Sequence, residues 1–138
     1  AVFVDYHLFQ RLYGIPHPDP AEIERLLTLF RLQDKTRLKD REFDTLNLST
    51  GQRKRLALIV SLLENRPILL LDEWAADQDP EFRRKFYFDL LPALNRAGKT
   101  VVVISHDDRY LEELDLPARR LRMDEGRFVE RAAVEHSA

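Results

Sequence analysis

Apolar residues recur along the chain with two different periods, and each change of period marks an element. Asp19 and Pro20 make a favourable N-cap and first helical position, and Ile23, Leu26, Leu27 and Phe30 then fall at i, i+3, i+4 and i+7, the stripe of an amphipathic helix. Residues 33–44 are charged and weakly periodic, and read as a loop or short helical piece leading to Leu46 and Leu48. Leu56, Ile59, Val60 and Leu63 then mark one face of a helix over residues 49–65, which Pro67 prevents from continuing. Two continuous apolar runs, 68–71 and 101–104, bracket a segment in which Phe82, Phe86, Leu90 and Leu94 stand four apart and Gly98 closes a helix. This is strand, helix, strand. The crossover implies a parallel pair, and the uniformly apolar runs predict burial on both faces. Pro92 lies inside the crossover helix and predicts a break near Leu91. Leu121 and Met123, a turn at Asp124-Glu125-Gly126, and Phe128 with Val129 predict a terminal hairpin, and residues 1–4 read as a further strand.

Composition adds mainly exclusions. The chain has 138 residues, 44% of them hydrophobic, which suits one domain or part of a larger one. A formal net charge of -2 gives no global footprint for nucleic acid or an anionic membrane. With no cysteine there is neither a disulfide framework nor a thiolate metal site. No apolar run has the length of a membrane span, and the N-terminal residues lack the pattern of a signal peptide.

Parallel strands end on the same edge of a sheet, where open α/β folds bind ligands. Asp72-Glu73 and Ser105-His106 both fall there. A carboxylate at a dry strand end, Asp72, suits Mg²⁺ in nucleoside triphosphatases. The adjacent Glu73 is placed to orient an attacking water or accept its proton, and His106 to hydrogen-bond the γ-phosphate. Taken singly, the same residues read as a strand end, a turn cap and a solvated imidazole; their joint placement favours the chemistry. Ser49 and Gln52 form a capping box that would start any helix. Yet Arg53, Lys54 and Arg55 follow at once, where the helix dipole disfavours cations, so something negative is expected nearby. Ser49, Gly51 and the free N–H groups of a helix start together make an anion site suited to phosphate.

A phosphate-binding loop is missing from these residues. Gly98-Lys99-Thr100 mimics its end, but position 93 is Ala93 and the segment leads into a strand. Asp77-Gln78-Asp79 begins like a calcium loop, but the turn glycine such a loop requires is replaced by Phe82.

In this order, signature helix, acidic strand end and downstream histidine resemble the ATP-binding domain of ABC transporters over nearly the whole chain. Leu48, Ser49, Thr50, Gly51 and Gln52 resemble the signature motif, with Thr50 where glycine is usual; residues 68–72 resemble the Walker B strand; Glu73 matches the catalytic glutamate and His106 the switch histidine. Ala76, Asp77, Gln78 and Asp79 fall at the D-loop. The stretches 72–80 and 105–108 resemble the exporters of cyclic peptides and siderophore-precursor peptides. Residues 2–9 resemble the Q-loop region, with Val4 in place of its glutamine.

The resemblance implies an α/β, partial P-loop NTPase fold: a parallel sheet, a helical signature subdomain and a C-terminal β-hairpin, without Walker A. It implies one domain portion, in which residues 1–66 carry the Q-loop region and signature segment and residues 67–138 run from Walker B to the terminal hairpin. It further implies ATP and Mg²⁺, the ion held by Asp72 directly or through water. The expected partners are a second ATP-binding domain, head to tail, and a transmembrane domain, with no nucleic acid. The expected location is the cytoplasmic face of the inner membrane, and the expected activity is ATP hydrolysis coupled to export, with the separate chain inactive. A soluble, non-transport ABC ATPase and a catalytically incomplete interaction fragment are the alternatives.

Overall fold

The structure, a computed structural model, describes Leu12 and residues 18–129. The strand read at residues 1–4 and the Q-loop resemblance at residues 2–9 lie outside the described residues. Helix α1, Pro20–Leu29, starts where Asp19 caps it by accepting from the Ala21 N–H, and it buries Ile23, Leu26 and Leu27. Residues 33–44 are neither loop nor helix throughout. They form a short hairpin, β1 (Leu38–Lys39) with β2 (Glu42–Phe43), turned by Asp40 and Arg41 at positive φ. Its apolar content is too low for periodicity to reveal it, but the fully buried Phe43 pins it to the core.

Helix α2, Thr50–Leu63, packs on α1 and brings Leu56, Leu58 and Ile59 into the core. Strand β3, Ile68–Asp72, pairs in parallel with β4, Thr100–Ile104, in the register Leu69↔Val101 through Asp72↔Ile104. The connection runs through α3 (Pro80–Lys85), a π-helical turn at Phe86–Leu90, and α4 (Leu91–Arg96). Pro92 perturbs this helix but does not break it near Leu91, where the sequence predicts a break. Proline offers no N–H to the residue four before it and its ring crowds that carbonyl. The helix answers by widening: Leu91 N–H bonds to the carbonyl of Phe86, five residues back, a π-bulge rather than a break. Phe82, Phe86, Leu90 and Leu94 remain on one buried face.

The sheet departs from the expectation of burial on both faces. Leu69 and Leu71 are buried and Val101 and Val103 pack against the same core. The opposite face exposes Ile68 (63%), Val102 (47%) and Ile104 (47%). The described residues supply helices for one face only, so the apolar pattern of the second face has no covering layer among them. Helix α5, Asp108–Glu113, follows β4, and the terminal hairpin pairs β5 (Arg122–Asp124) with β6 (Arg127–Val129). Leu121, Met123, Phe128 and Val129 on that hairpin are exposed.

Candidate functional site

The parallel register delivers both strand ends to one rim. Asp72 closes β3 opposite Ile104, and Glu73 N–H donates to the Ile104 carbonyl at 3.0 Å. Immediately beyond, the chain turns with Glu73 at φ 46°, a left-handed conformation that is costly for a residue with a Cβ and is commonest where function requires it. Glu73 Oε1 lies 3.1 Å from Nε2 of His106. The oxygen is shielded from solvent, and the contact lacks hydrogen-bond geometry. The Glu73 side chain as a whole stays 28% exposed. His106 itself is 93% exposed, its ring free to meet a group outside the chain.

What holds His106 was not legible in the sequence. Its neighbours Ser105 and Asp107 are tied to Tyr87 of the π-turn. Tyr87 donates to Asp107 Oδ2 at 2.9 Å and lies 2.7 Å from Ser105 Oγ, while Asp107 N–H donates to that same Oγ at 3.0 Å. Burial pushes the Tyr87 phenol above its ordinary range, so it keeps its proton. That single proton goes to the carboxylate, which leaves Ser105 as donor to the phenol oxygen. Tyr87 is in turn stacked on Tyr110, 5.0 Å between ring centres. Arg83 spans from this loop to the next: it lies 3.5 Å from Asp107 and donates to the carbonyls of Ala75 and Ala76.

The start of α2 is the second part of the site. Ser49 is its N-cap, accepting from Gln52 N–H at 3.3 Å, while Gln52 Oε1 accepts from Ser49 N–H at 3.0 Å. The capping box is therefore real, and it does not exhaust the hydroxyl: Ser49 Oγ accepts here, so its proton stays available to an incoming anion. Ser49 and Thr50 are exposed; Leu48 packs against the core.

The negative partners expected for the cations of α2 turn out to be protein carboxylates. Lys54 pairs with Asp77 at 2.6 Å and Arg55 with Asp79 at 2.6 Å. Only Arg53 keeps an exposed side chain, so the cationic run does not itself argue for phosphate. The loop 76–79 is instead sewn onto α2. Gln78, buried, accepts from Arg55 Nε at 2.7 Å and donates to the Gly51 carbonyl at 3.2 Å. Asp79 then caps α3 by accepting from Phe82 N–H, and this bond first, with Arg55 next, holds its carboxyl below the usual aspartate range. The guanidinium of Arg55 also lies 3.6 Å above the Phe82 ring. Gly51 is required by this seam: a Cβ there would meet the Asp77 carbonyl oxygen at 2.4 Å.

For a divalent ion the donor set is thin. Among the described residues no cluster of three or more His, Asp or Glu could hold a metal. Asp72 offers carboxylate oxygen at a half-buried strand end, chemistry that fits an ion keeping most of its shell as water and phosphate oxygen, as Mg²⁺ does.

The sequence matches the family model described as "ABC transporter" over residues 1–76. It is 47% identical over 133 residues to the ATP-binding protein SyrD of Pseudomonas syringae pv. syringae, a match covering 94% of this chain and 23% of SyrD. It is 42% identical over 86 residues to the ATP-dependent lipid A-core flippase of Pseudomonas fluorescens, covering 62% of this chain and 14% of the flippase. A bacterial Atm1-family ABC exporter solved with ATP bound superposes with a TM-score of 0.68 at 27% identity, over 94% of this chain and 24% of that one. The chain thus spans about a quarter of SyrD and of that exporter. No helix among the described residues is long and apolar enough to cross a membrane.

Proposed function

The chain belongs to the ABC transporter family, and from that premise we propose that it is the signature and catalytic-acid portion of a longer ATPase subunit, coupling ATP binding and hydrolysis to export of a peptide. The observation that carries this is the convergence of the Glu73 carboxylate and an exposed His106 on one rim, 3.1 Å apart, joined through loop 76–79 to the open start of α2. In a head-to-tail pair, the start of α2 in one copy can meet a phosphate beside which the rim of the other copy places a base.

In this reading a second ATP-binding domain packs head to tail. Leu48, Ser49, Thr50, Gly51 and Gln52 then close on the γ-phosphate of ATP seated on the partner's phosphate loop. The hydroxyl proton of Ser49 and the free N–H groups at the helix start are the donors. At the chain's own ATP, on which the partner's signature segment closes, Glu73 orients the water and accepts its proton, and His106 donates to the phosphate. Mg²⁺, held by Asp72, would supply charge neutralisation at the phosphates. Residues 76–79 lie against the partner. A transmembrane domain provides the path, which places this portion at the cytoplasmic face of the inner membrane. The uncovered sheet face, with Ile68, Val102 and Ile104, is then where the remainder of the ATP-binding domain packs. Peptide, preferably cyclic, as cargo rests on the resemblance of residues 72–80 and 105–108.

The test is Glu73→Gln in the full-length subunit. Removing a general base costs on the order of 10²–10⁴ in rate, so hydrolysis should fall by that factor while ATP affinity stays within about threefold. Unchanged turnover would reject the role given to Glu73.

A further inference from the structure

Lys54 is a buried cation that the hydrolytic chemistry above does not use. Its side chain is 2% exposed, on a helix whose start faces the candidate phosphate. An ammonium in such a place must be paired and hydrogen-bonded to be tolerated. Its partners are informative. Nζ lies 2.6 Å from Asp77 Oδ2 and donates to the main-chain carbonyl of Glu73 at 2.9 Å.

Those two contacts join the residue proposed as base to the loop proposed to face the partner. Glu73 has a left-handed backbone that must be held in place, and its peptide groups are fixed on both sides. Its N–H goes to Ile104, and its carbonyl accepts from Lys54 and, at 3.3 Å, from Ala76 N–H. Asp77, the other anchor of Lys54, is half-exposed at 44%, so it is the end of this chain of contacts that a second molecule could reach. The neighbouring residues make the connection stiff. Gln78 and Asp79 are bound to Arg55, the next residue of α2, and the Trp74 indole donates to the Lys54 carbonyl at 3.1 Å.

We propose that Lys54 is a positioning residue for hydrolysis, which transmits the placement of loop 76–79 to the backbone of Glu73. The proposal rests on the reading of Glu73 as the base. When the loop is seated, Asp77 holds the ammonium against the Glu73 carbonyl and the carboxylate is aimed; when the loop is displaced, the ammonium loses its counter-charge and Glu73 loses a backbone anchor. Hydrolysis is thereby made conditional on the packing of the 76–79 loop.

The test uses the full-length subunit, with ATP turnover and ATP affinity measured for each variant. Wild-type protein without ATPase activity would reject the functional reading itself, before any variant is made. Given an active wild type, Lys54→Met, which keeps length and loses both contacts, should lower kcat about tenfold or more with KM for ATP within about threefold. Lys54→Gln keeps a donor for the Glu73 carbonyl and should recover part of that loss. In a Glu73→Gln background, Lys54→Met should change the residual rate less than about twofold, because its route of action has already been removed. An unchanged kcat in Lys54→Met would overturn the proposal. So would an equal proportional loss in the Glu73→Gln background, which marks damage to the fold rather than positioning. Should Lys54→Met not fold, Asp77→Asn at the half-exposed end carries the same comparison: a lowered kcat that vanishes in the Glu73→Gln background is expected, and an unaffected kcat overturns the proposal.

Discussion

Gly51→Ala sets two opposed effects against each other at a single atom. Gly51 lies in the first turn of α2, where alanine improves helix propensity by about 1 kcal/mol. The added Cβ, however, would lie 2.4 Å from the Asp77 carbonyl oxygen, whereas ordinary contact begins at 3.4 Å. The obstacle is backbone, so loop 76–79 must move by about 1 Å to relieve it. Such overpacking costs about 1–3 kcal/mol, and the displacement also weakens the Gln78 Nε2 bond to the Gly51 carbonyl, worth about 1 kcal/mol more. Clash and lost bond outweigh propensity by about 1–3 kcal/mol, which corresponds to roughly 5- to 150-fold easier opening of the loop. Hydrogen exchange in the full-length subunit reads this directly, at the Gln78 amide that bonds to the Ala75 carbonyl. Gly98→Ala is the control: it too is disfavoured, by φ 75°, but its Cβ would meet nothing within 4 Å. Faster exchange around residues 76–79 in Gly51→Ala, and not in Gly98→Ala, is expected. Wild-type exchange in Gly51→Ala would refute the argument that the loop dictates this glycine.

Two further perturbations probe the loops on either side. Tyr87→Phe removes the phenol that donates to Asp107 and bonds Ser105, a loss of about 1–1.5 kcal/mol. The Asp107 amide should then exchange about tenfold faster, and an unchanged rate would remove Tyr87 from the support of the His106 loop. Asp79 titrates in the folded chain below its ordinary range because it caps α3 and pairs with Arg55. Its stabilisation is therefore complete above the unfolded aspartate value of about 3.9 and is lost as pH falls through the lower folded value. Asp79→Asn keeps a capping oxygen without the charge, so the ratio of wild-type to variant protection at the Phe82 amide should hold steady above about pH 5 and fall on further acidification. A ratio independent of pH would contradict the pairing.

The elements and the rim were largely legible in the sequence because they rest on local rules. Period identified α1 and α2, the apolar runs identified β3 and β4, and the crossover between them brought Asp72, Glu73 and His106 to one edge. Even Pro92 announced an irregularity, although its form, a widened π-turn, depends on how Phe86 and Leu90 pack. The hairpin at residues 38–43 was not legible, since its only fully buried side chain is Phe43 and two-residue strands carry no period. The support of the site was hidden for a different reason. Lys54, Arg55, Gln78, Arg83 and Tyr87 act through contacts between segments distant in sequence, and their polar character alone suggests a solvated surface. One signal did exist: three cations at a helix start demanded a negative partner, and loop 76–79 carries two carboxylates. The second face of the sheet exceeded its reading in the opposite sense, since an apolar strand records the partner it is built for, not the layers a given stretch of chain supplies.

The central claim is that Ser49 of one subunit and Glu73 of the other serve the same ATP. It is tested most directly by mixing two impaired full-length subunits, Ser49→Ala and Glu73→Gln, and measuring ATP turnover of the purified mixed dimer. In the head-to-tail account one composite site of that dimer pairs an intact Ser49 with an intact Glu73, and turnover should rise well above that of either impaired homodimer, toward about half the wild-type value per dimer. Turnover no greater than the mean of the two homodimers, in a verified mixed dimer, would contradict the account.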